Sequence, residues 1–322
     1  MSKFEVWVRR PLKITLACAV LALPTIALAE DEGGPEWQAI VDKAKQEGTV
    51  TIYSGGGQKQ LDDLAERFEA KYGIKVQAVR AVETDFFPRL EVEKEQNAGI
   101  ADVAVAASLP TVHDYEQRGF MQEPVGPAFD AAEYDRATRM PSNSFFELSA
   151  AVLTYSWNTN LVPEGIDSYA DIVNNPTLAD GMIAVPVGRG ASRADFYTYL
   201  EKNYGADYVE KLAALKPRSY PGALPMAQAV VSGEVAAAIY GEPMIDEKEK
   251  GAPVDWGLAP NPWGARFYGM ILASAPHPNA AQVLANFMVT REGQEAISRK
   301  AASVLPDVEG AVAETKDIPE QD

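Results

Sequence analysis

TVTIYSGGGQKQLDDLAERF, residues 49–68, changes the period of its apolar positions midway. Thr49, Val50, Thr51, Ile52 and Tyr53 have the composition and length of a strand, whereas Leu61, Leu64, Ala65 and Phe68 recur at helical spacing. The switch falls on Ser54, Gly55, Gly56 and Gly57, so a strand passes into a helix through a loop almost free of side chains. A ligand can approach such a backbone closely, and the first-turn N–H groups with the positive end of the helix dipole suit a negative or polar one. A tight turn that serves only the fold is the alternative. The stretch is not a dinucleotide fingerprint, because Gln58, Lys59 and Gln60 follow and the final glycine is missing. It also lacks the Gly-Lys-Ser/Thr of a nucleotide phosphate loop.

Outward from this stretch, Trp37, Ile40, Val41 and Ala44 mark a helix over residues 36–47 that stops at Gly48. Downstream, residues 74–79 and 102–106 read as strands, and Phe86, Phe87 and Leu90 mark a helix between them. A further helix runs to Gly119. Alternation of this kind predicts parallel strands with helices on both faces, and ligands gather beyond the carboxyl ends of such strands. That edge would hold residues 54–57 and Ser108.

Residues 123–144 read as surface loop and short helix, and the apolar run 149–157 is long enough to pass between lobes. Residues 182–187 are a strand followed by Gly188-Arg189-Gly190-Ala191-Ser192-Arg193, which repeats the opening strand, glycine loop and helix. Ser192 and Asp195 have capping-box spacing. Arg189 and Arg193 are candidate anion contacts, because guanidinium forks match carboxylate, phosphonate and phosphate oxygens; salt bridging to surface acids is the alternative. Tyr155, Tyr220 and Tyr240 are candidate aromatic walls or hydrogen-bond donors, with hinge or core packing as the other reading. Residues 235–240 and 254–260 read as strands, 246–250 as a solvated helix face, 269–274 as a strand, and 278–289 and 292–297 as helices. The acidic tail after Pro306 has little to pack and is expected to be mobile.

Lys3, Arg9, Arg10 and Lys13 precede an apolar run from Ile14 to Leu28 that ends in Ala27-Leu28-Ala29, the pattern of an export signal cleaved after Ala29. The run is short for a membrane span and is interrupted by Pro24. Cys18, the only cysteine, leaves with it, so disulfides, thiolate ligands and a cysteine nucleophile are excluded from the mature chain. With 29 Lys+Arg against 46 Asp+Glu, the net charge of −17 repels nucleic acid and anionic membrane surfaces. The length of 322 residues exceeds what one core usually serves and points to two lobes.

The export signal, residues 48–54 with the helix through Phe68, Gly73-Ile74-Lys75-Val76, Tyr155 with Asn158-Thr159, Ser232-Gly233-Glu234-Val235, Pro278-Asn279-Ala280-Ala281 and Glu292-Gly293-Gln294 occur in an order that resembles periplasmic solute-binding proteins of ABC transporters. The resemblance is to the type II group that includes ferric-iron, thiamine, polyamine and phosphonate receptors, and it covers the mature chain. It implies an α/β fold of two Rossmann-like lobes joined by two hinge strands, closure over a small-molecule solute, and delivery to an ABC permease. The expected division is 30–152 and 262–322 in lobe one and 153–261 in lobe two, in a periplasmic monomer.

Ferric-binding members carry adjacent tyrosines after the Gly-Glu motif, whereas Ile239-Tyr240-Gly241 here offers one, and His113 and His277 are the only histidines. The expected solute is therefore an organic anion held by Ser54, Gly55, Gly56, Ser108, Arg189, Ser192, Arg193 and the three tyrosines, with ferric iron as the alternative and no cofactor. A two-lobed transferase or hydrolase is the hypothesis from another class. It would need a nucleophile with its base or a metal cluster, and no such pattern is present.

Overall fold

The computed structural model describes residues 33–187 and 191–319, with backbone only at 191 and 192. The opening stretch folds as its period requires: β1 (Thr49–Ser54) leads through the glycine loop into α2 (Gln58–Tyr72), preceded by α1 (Pro35–Glu47). Gly48 and Gly73 cap α1 and α2 at φ of 72° and 70°, a left-handed conformation that glycine adopts without Cβ strain. β2 (Lys75–Arg80), α3 (Glu83–Glu95), β3 (Val103–Ala106), α4 (Leu109–Gln117) and the short β4 (Met121–Gln122) follow. Residues 123–144 are irregular apart from a 3₁₀ turn and α5 (Arg136–Arg139).

The apolar run expected to pass between lobes is two strands, β5 (Phe145–Val152) and β6 (Thr154–Asn158). Next come α6 (Tyr169–Asn174), β7 (Ile183–Pro186), α7 (Ala191–Tyr204), α8 (Tyr208–Ala214), β8 (Arg218–Tyr220), α9 (Ala223–Ser232), β9 (Ala237–Gly241), α10 (Ile245–Glu249) and β10 (Val254–Gly257). The chain ends with β11 (Gly264–Leu272), α11 (Pro278–Met288), α12 (Arg291–Ile297), β12 (Ala302–Ser303) and β13 (Ala313–Glu314).

These strands form two mixed sheets. The first has the order β13-β12-β5-β11-β3-β1-β2 with β4 beside β11, and the second the order β10-β6-β9-β7-β8. β1 pairs in parallel with β2 and β3, as the alternation predicts, but β11 runs antiparallel to β3 and β5. The chain passes between sheets twice, at Leu153 and over residues 258–263, and the amide of Leu153 donates to the carbonyl of Trp263 at 2.9 Å. The two crossings are thus hydrogen-bonded to each other, beside the carboxyl ends of β1, β2 and β3.

Helices cover both faces of the first sheet. Trp37, Val41, Phe68 and Phe287 bury one face with Val50 and Ile52, while Phe86, Phe87 and Tyr115 pack with Tyr53 on the other. The second sheet has its own aromatic core of Tyr155, Tyr169, Phe196 and Tyr208. The tail corrects the expectation of mobility. Ile318 is fully buried against Ala150, Val152 and Ala302, and its carbonyl accepts from Arg266 Nη2 at 2.7 Å. Val308 and Thr315 are buried too, and β13 pairs in parallel with β12, so a few side chains and a short strand dock a tail whose acidic count does not reveal them.

Candidate functional site

A cavity of about 300 Å³ opens at the carboxyl end of β1, beside the crossing from β5 to β6. Its floor is apolar, with Ile52, Leu64 and Val152 among the lining side chains; its polar wall is residues 54–57, Arg80, Glu242 and Lys300. The size is at the lower end of small-molecule sites. Ser54 is buried, and its Oγ accepts from the Gly56 amide at 3.0 Å. Arg80 Nε donates to the Gly56 carbonyl at 3.0 Å, which staples the loop from the neighbouring strand. Ser54 and Arg80 are register partners across β1 and β2. No side chain caps the first turn of α2, so its amide donors remain available at the loop. Among the described residues, no carboxylate pairs with Arg80 and none of the hydrogen bonds or ion pairs involves Glu242.

Arg80, Glu242 and Lys300 were missed by sequence reading. Arg80 lies one residue beyond the strand expected at 74–79, and its place is set by pairing with β1. Glu242 follows the end of β9 and Lys300 follows α12; no local pattern brings either to the loop.

Ser108 is bonded within the fold. Its amide donates to a carboxylate oxygen of Glu83 at 3.2 Å, the Ala107 amide donates to the other oxygen, and its Oγ shares a 2.7 Å hydrogen bond with Thr111. An internal carboxylate occupies the turn that was expected to hold solute, and Ser108 is absent from the cavity wall. Tyr155 packs in the core of the second sheet. It is 2% exposed, stacks on Trp157, and donates its hydroxyl to the Asp167 carbonyl at 2.7 Å, so it is a core side chain. Tyr220 is half-buried and donates to Glu234 Oε1 at 2.9 Å, a bond within its own sheet's periphery.

Arg193 and Tyr240 lie together at the carboxyl end of the second sheet. Arg193 Nη2 donates to the Pro221 carbonyl at 3.2 Å, and the half-buried Tyr240 ring meets Phe196 edge-on at 5.2 Å. Burial pushes the Tyr240 hydroxyl up, with the Arg193 guanidinium acting against it; Tyr197 has the same pair of influences. Both phenols are therefore neutral donors near neutral pH. Arg189 and the side chain of Ser192 lie outside the described residues. Among the described residues, no group of three or more His, Cys, Asp or Glu side chains could hold a metal ion.

Residues 50–300 match the family model of bacterial extracellular solute-binding proteins, and the chain belongs to that family. Its fold is that of type II periplasmic binding proteins. Iron-bound HitA from Pseudomonas aeruginosa superposes with a TM-score of 0.63 at 19% identity, covering 84% of this chain and 92% of that one. The substrate binding protein of an ABC transporter from Agrobacterium tumefaciens gives 0.62 at 18% identity, with 84% of each chain covered. AfuA from Actinobacillus pleuropneumoniae, solved with exogenous fructose-6-phosphate, gives 0.56 at 18% identity, covering 85% of this chain and 89% of that one. At these identities the likeness is one of fold. No curated protein matches the sequence.

Proposed function

We propose that the chain is a periplasmic receptor that captures a small organic anion (a phosphonate, phosphate ester or carboxylate) between two lobes and delivers it to an ABC permease. The observation that carries this reading is Arg80, a guanidinium with no carboxylate partner among the described residues, set against an uncapped glycine loop on the wall of the cavity. Charge-assisted bonds from Arg80, the α2 amides and Ser54 would hold the anionic group. The lobes of this reading are 30–152 with 262–322, and 153–261. On closure, Arg193 and Tyr240, with Arg189 and Ser192, would reach the solute from the second lobe, so that bound solute favours the closed form. Export with cleavage after Ala29 and a monomeric state complete the reading. AfuA, solved with exogenous fructose-6-phosphate, supports this reading.

A second reading is ferric iron. Tyr240 and Glu242, two residues apart at the end of β9, offer a phenol and a carboxylate oxygen, hard donors suited to Fe(III). HitA and the Trichodesmium protein solved with iron and citrate are of this fold. Calorimetric titration of refolded, solute-stripped protein separates the two. Saturable binding of an organic anion without metal, weakened by Arg80→Met, supports the first; binding that requires Fe(III) and is lost in Tyr240→Phe supports the second.

A further inference from the structure

α10 belongs to the second sheet, between β9 and β10, while residues 298–301 belong to the first, between α12 and β12. Sequence reading gives 246–250 as a solvated charged face, yet α10 spends its acids on the other sheet. Arg299 Nη2 lies 2.7 Å from Asp246 Oδ1 and 2.9 Å from Glu249 Oε2. Lys300 Nζ lies 2.9 Å from Asp246 Oδ2 and 3.6 Å from Glu247 Oε2. Each oxygen of Asp246 is thus given to a different cation.

The cationic side is built rigidly. Lys300 holds a φ of 64°, a left-handed conformation that a lysine adopts only where its surroundings impose it. Its amide donates to the Gly310 carbonyl at 3.0 Å, and the Arg299 carbonyl accepts from Gln60 at 3.4 Å. The Lys300 side chain is only 14% exposed and also lines the solute cavity, together with the glycine loop and Gln60.

We propose that the Arg299–Lys300 turn and α10 form an electrostatic latch that holds the two sheets in the arrangement seen here, with Lys300 linking the latch to the cavity wall. Lys300 and Val152 line the same cavity beside the crossing at Leu153, so the charge cluster adds a side-chain tie between the sheets to the two chain crossings. Exposed ion pairs are weak singly, but a shared, partly buried network can set a bias of about 5–150-fold between two arrangements. The latch goes beyond the receptor reading and does not depend on which solute is bound.

The test uses the full mature chain without solute, by small-angle scattering at 50 mM and 500 mM NaCl, for wild type, Asp246→Asn and Lys300→Met. The wild type is expected to expand with salt, because screening weakens the cluster. Asp246→Asn is expected to be expanded already at low salt and to respond little to more. Glu249→Gln, which removes only the most exposed partner, gives an intermediate radius and guards against misfolding of the stronger variants, checked by circular dichroism. Equal radii of gyration for all folded proteins at both salts would overturn the latch. A wild type insensitive to salt beside an expanded Asp246→Asn would overturn its electrostatic origin. Neither result bears on anion binding, which the titration above decides separately.

Discussion

Replacing Gln294 with leucine should cost about 3–5 kcal/mol of stability, because its amide is the polar hub beneath the cavity wall. The side chain is fully buried. Its Nε2 donates to the carbonyls of Leu148 at 3.0 Å and Met288 at 2.8 Å. Its Oε1 accepts from Ser298 at 2.9 Å, Ser303 at 2.8 Å and the Val304 amide at 3.1 Å. Leucine fills nearly the same space and makes none of these bonds. The hydroxyls can rotate towards other acceptors, but two carbonyls and one amide are left buried without these partners. Each costs about 1–3 kcal/mol, and partial relaxation brings the sum down to the stated range. Urea unfolding followed by tryptophan fluorescence and circular dichroism measures it, with coincident transitions as the check on two-state behaviour. Faster proteolysis near residues 298–303 should accompany the loss, since Gln294 ties α12 to β5 and β12. A cost below about 1 kcal/mol with an unchanged m-value would refute the hub.

Four further outcomes are expected. Arg80→Met should weaken anion binding about 10- to 150-fold, the worth of a charge-assisted bond of about 1.5–3 kcal/mol, measured by calorimetry at fixed salt. Tyr155→Phe should lose about 1 kcal/mol of stability in urea and leave solute affinity unchanged, since its hydroxyl serves the Asp167 carbonyl. Ile318→Ala should cost about 2–4 kcal/mol and expose the tail to carboxypeptidase. The Lys300 ammonium, with Arg299, holds the Asp246 carboxyl down at about 2. A depressed carboxyl stabilises the fold fully above the ordinary carboxylate range and loses that contribution as pH falls towards 2. Wild type should therefore lose about 1 kcal/mol more than Asp246→Asn between pH 5 and pH 2, after discount for solvent screening, in acid titrations of stability.

Much of the first sheet was legible because its signals are local. The period change at residues 54–57, and Gly48 and Gly73 after apolar faces, each specify an element from a few neighbours, and β1, α1 and α2 follow. The glycine loop's place on a cavity wall was legible for the same reason. What escaped depends on distant pairing. Arg80 reaches the loop only because β2 aligns with β1, and Glu83 fills the Ser108 turn across 25 positions. Tyr155 sits in a strand whose inward face is decided by Tyr169 and Trp157, so alternation alone could not say whether it meets solute or core. α10 was read as solvated because nothing near it in sequence announces Arg299 and Lys300.

The measurement that bears most directly on the receptor reading is a thermal-shift screen of mature protein, denatured and refolded to strip carried-over solute. The panel sets phosphonates, sugar phosphates and carboxylates against ferric citrate, thiamine and polyamines. A solute at 100 times its dissociation constant adds about 2.7 kcal/mol, enough for a shift of a few degrees. The account predicts a shift with one class of organic anion in the absence of metal, reduced by Arg80→Met. A shift with ferric iron alone, carrying a visible tyrosinate colour that Tyr240→Phe removes, would contradict it.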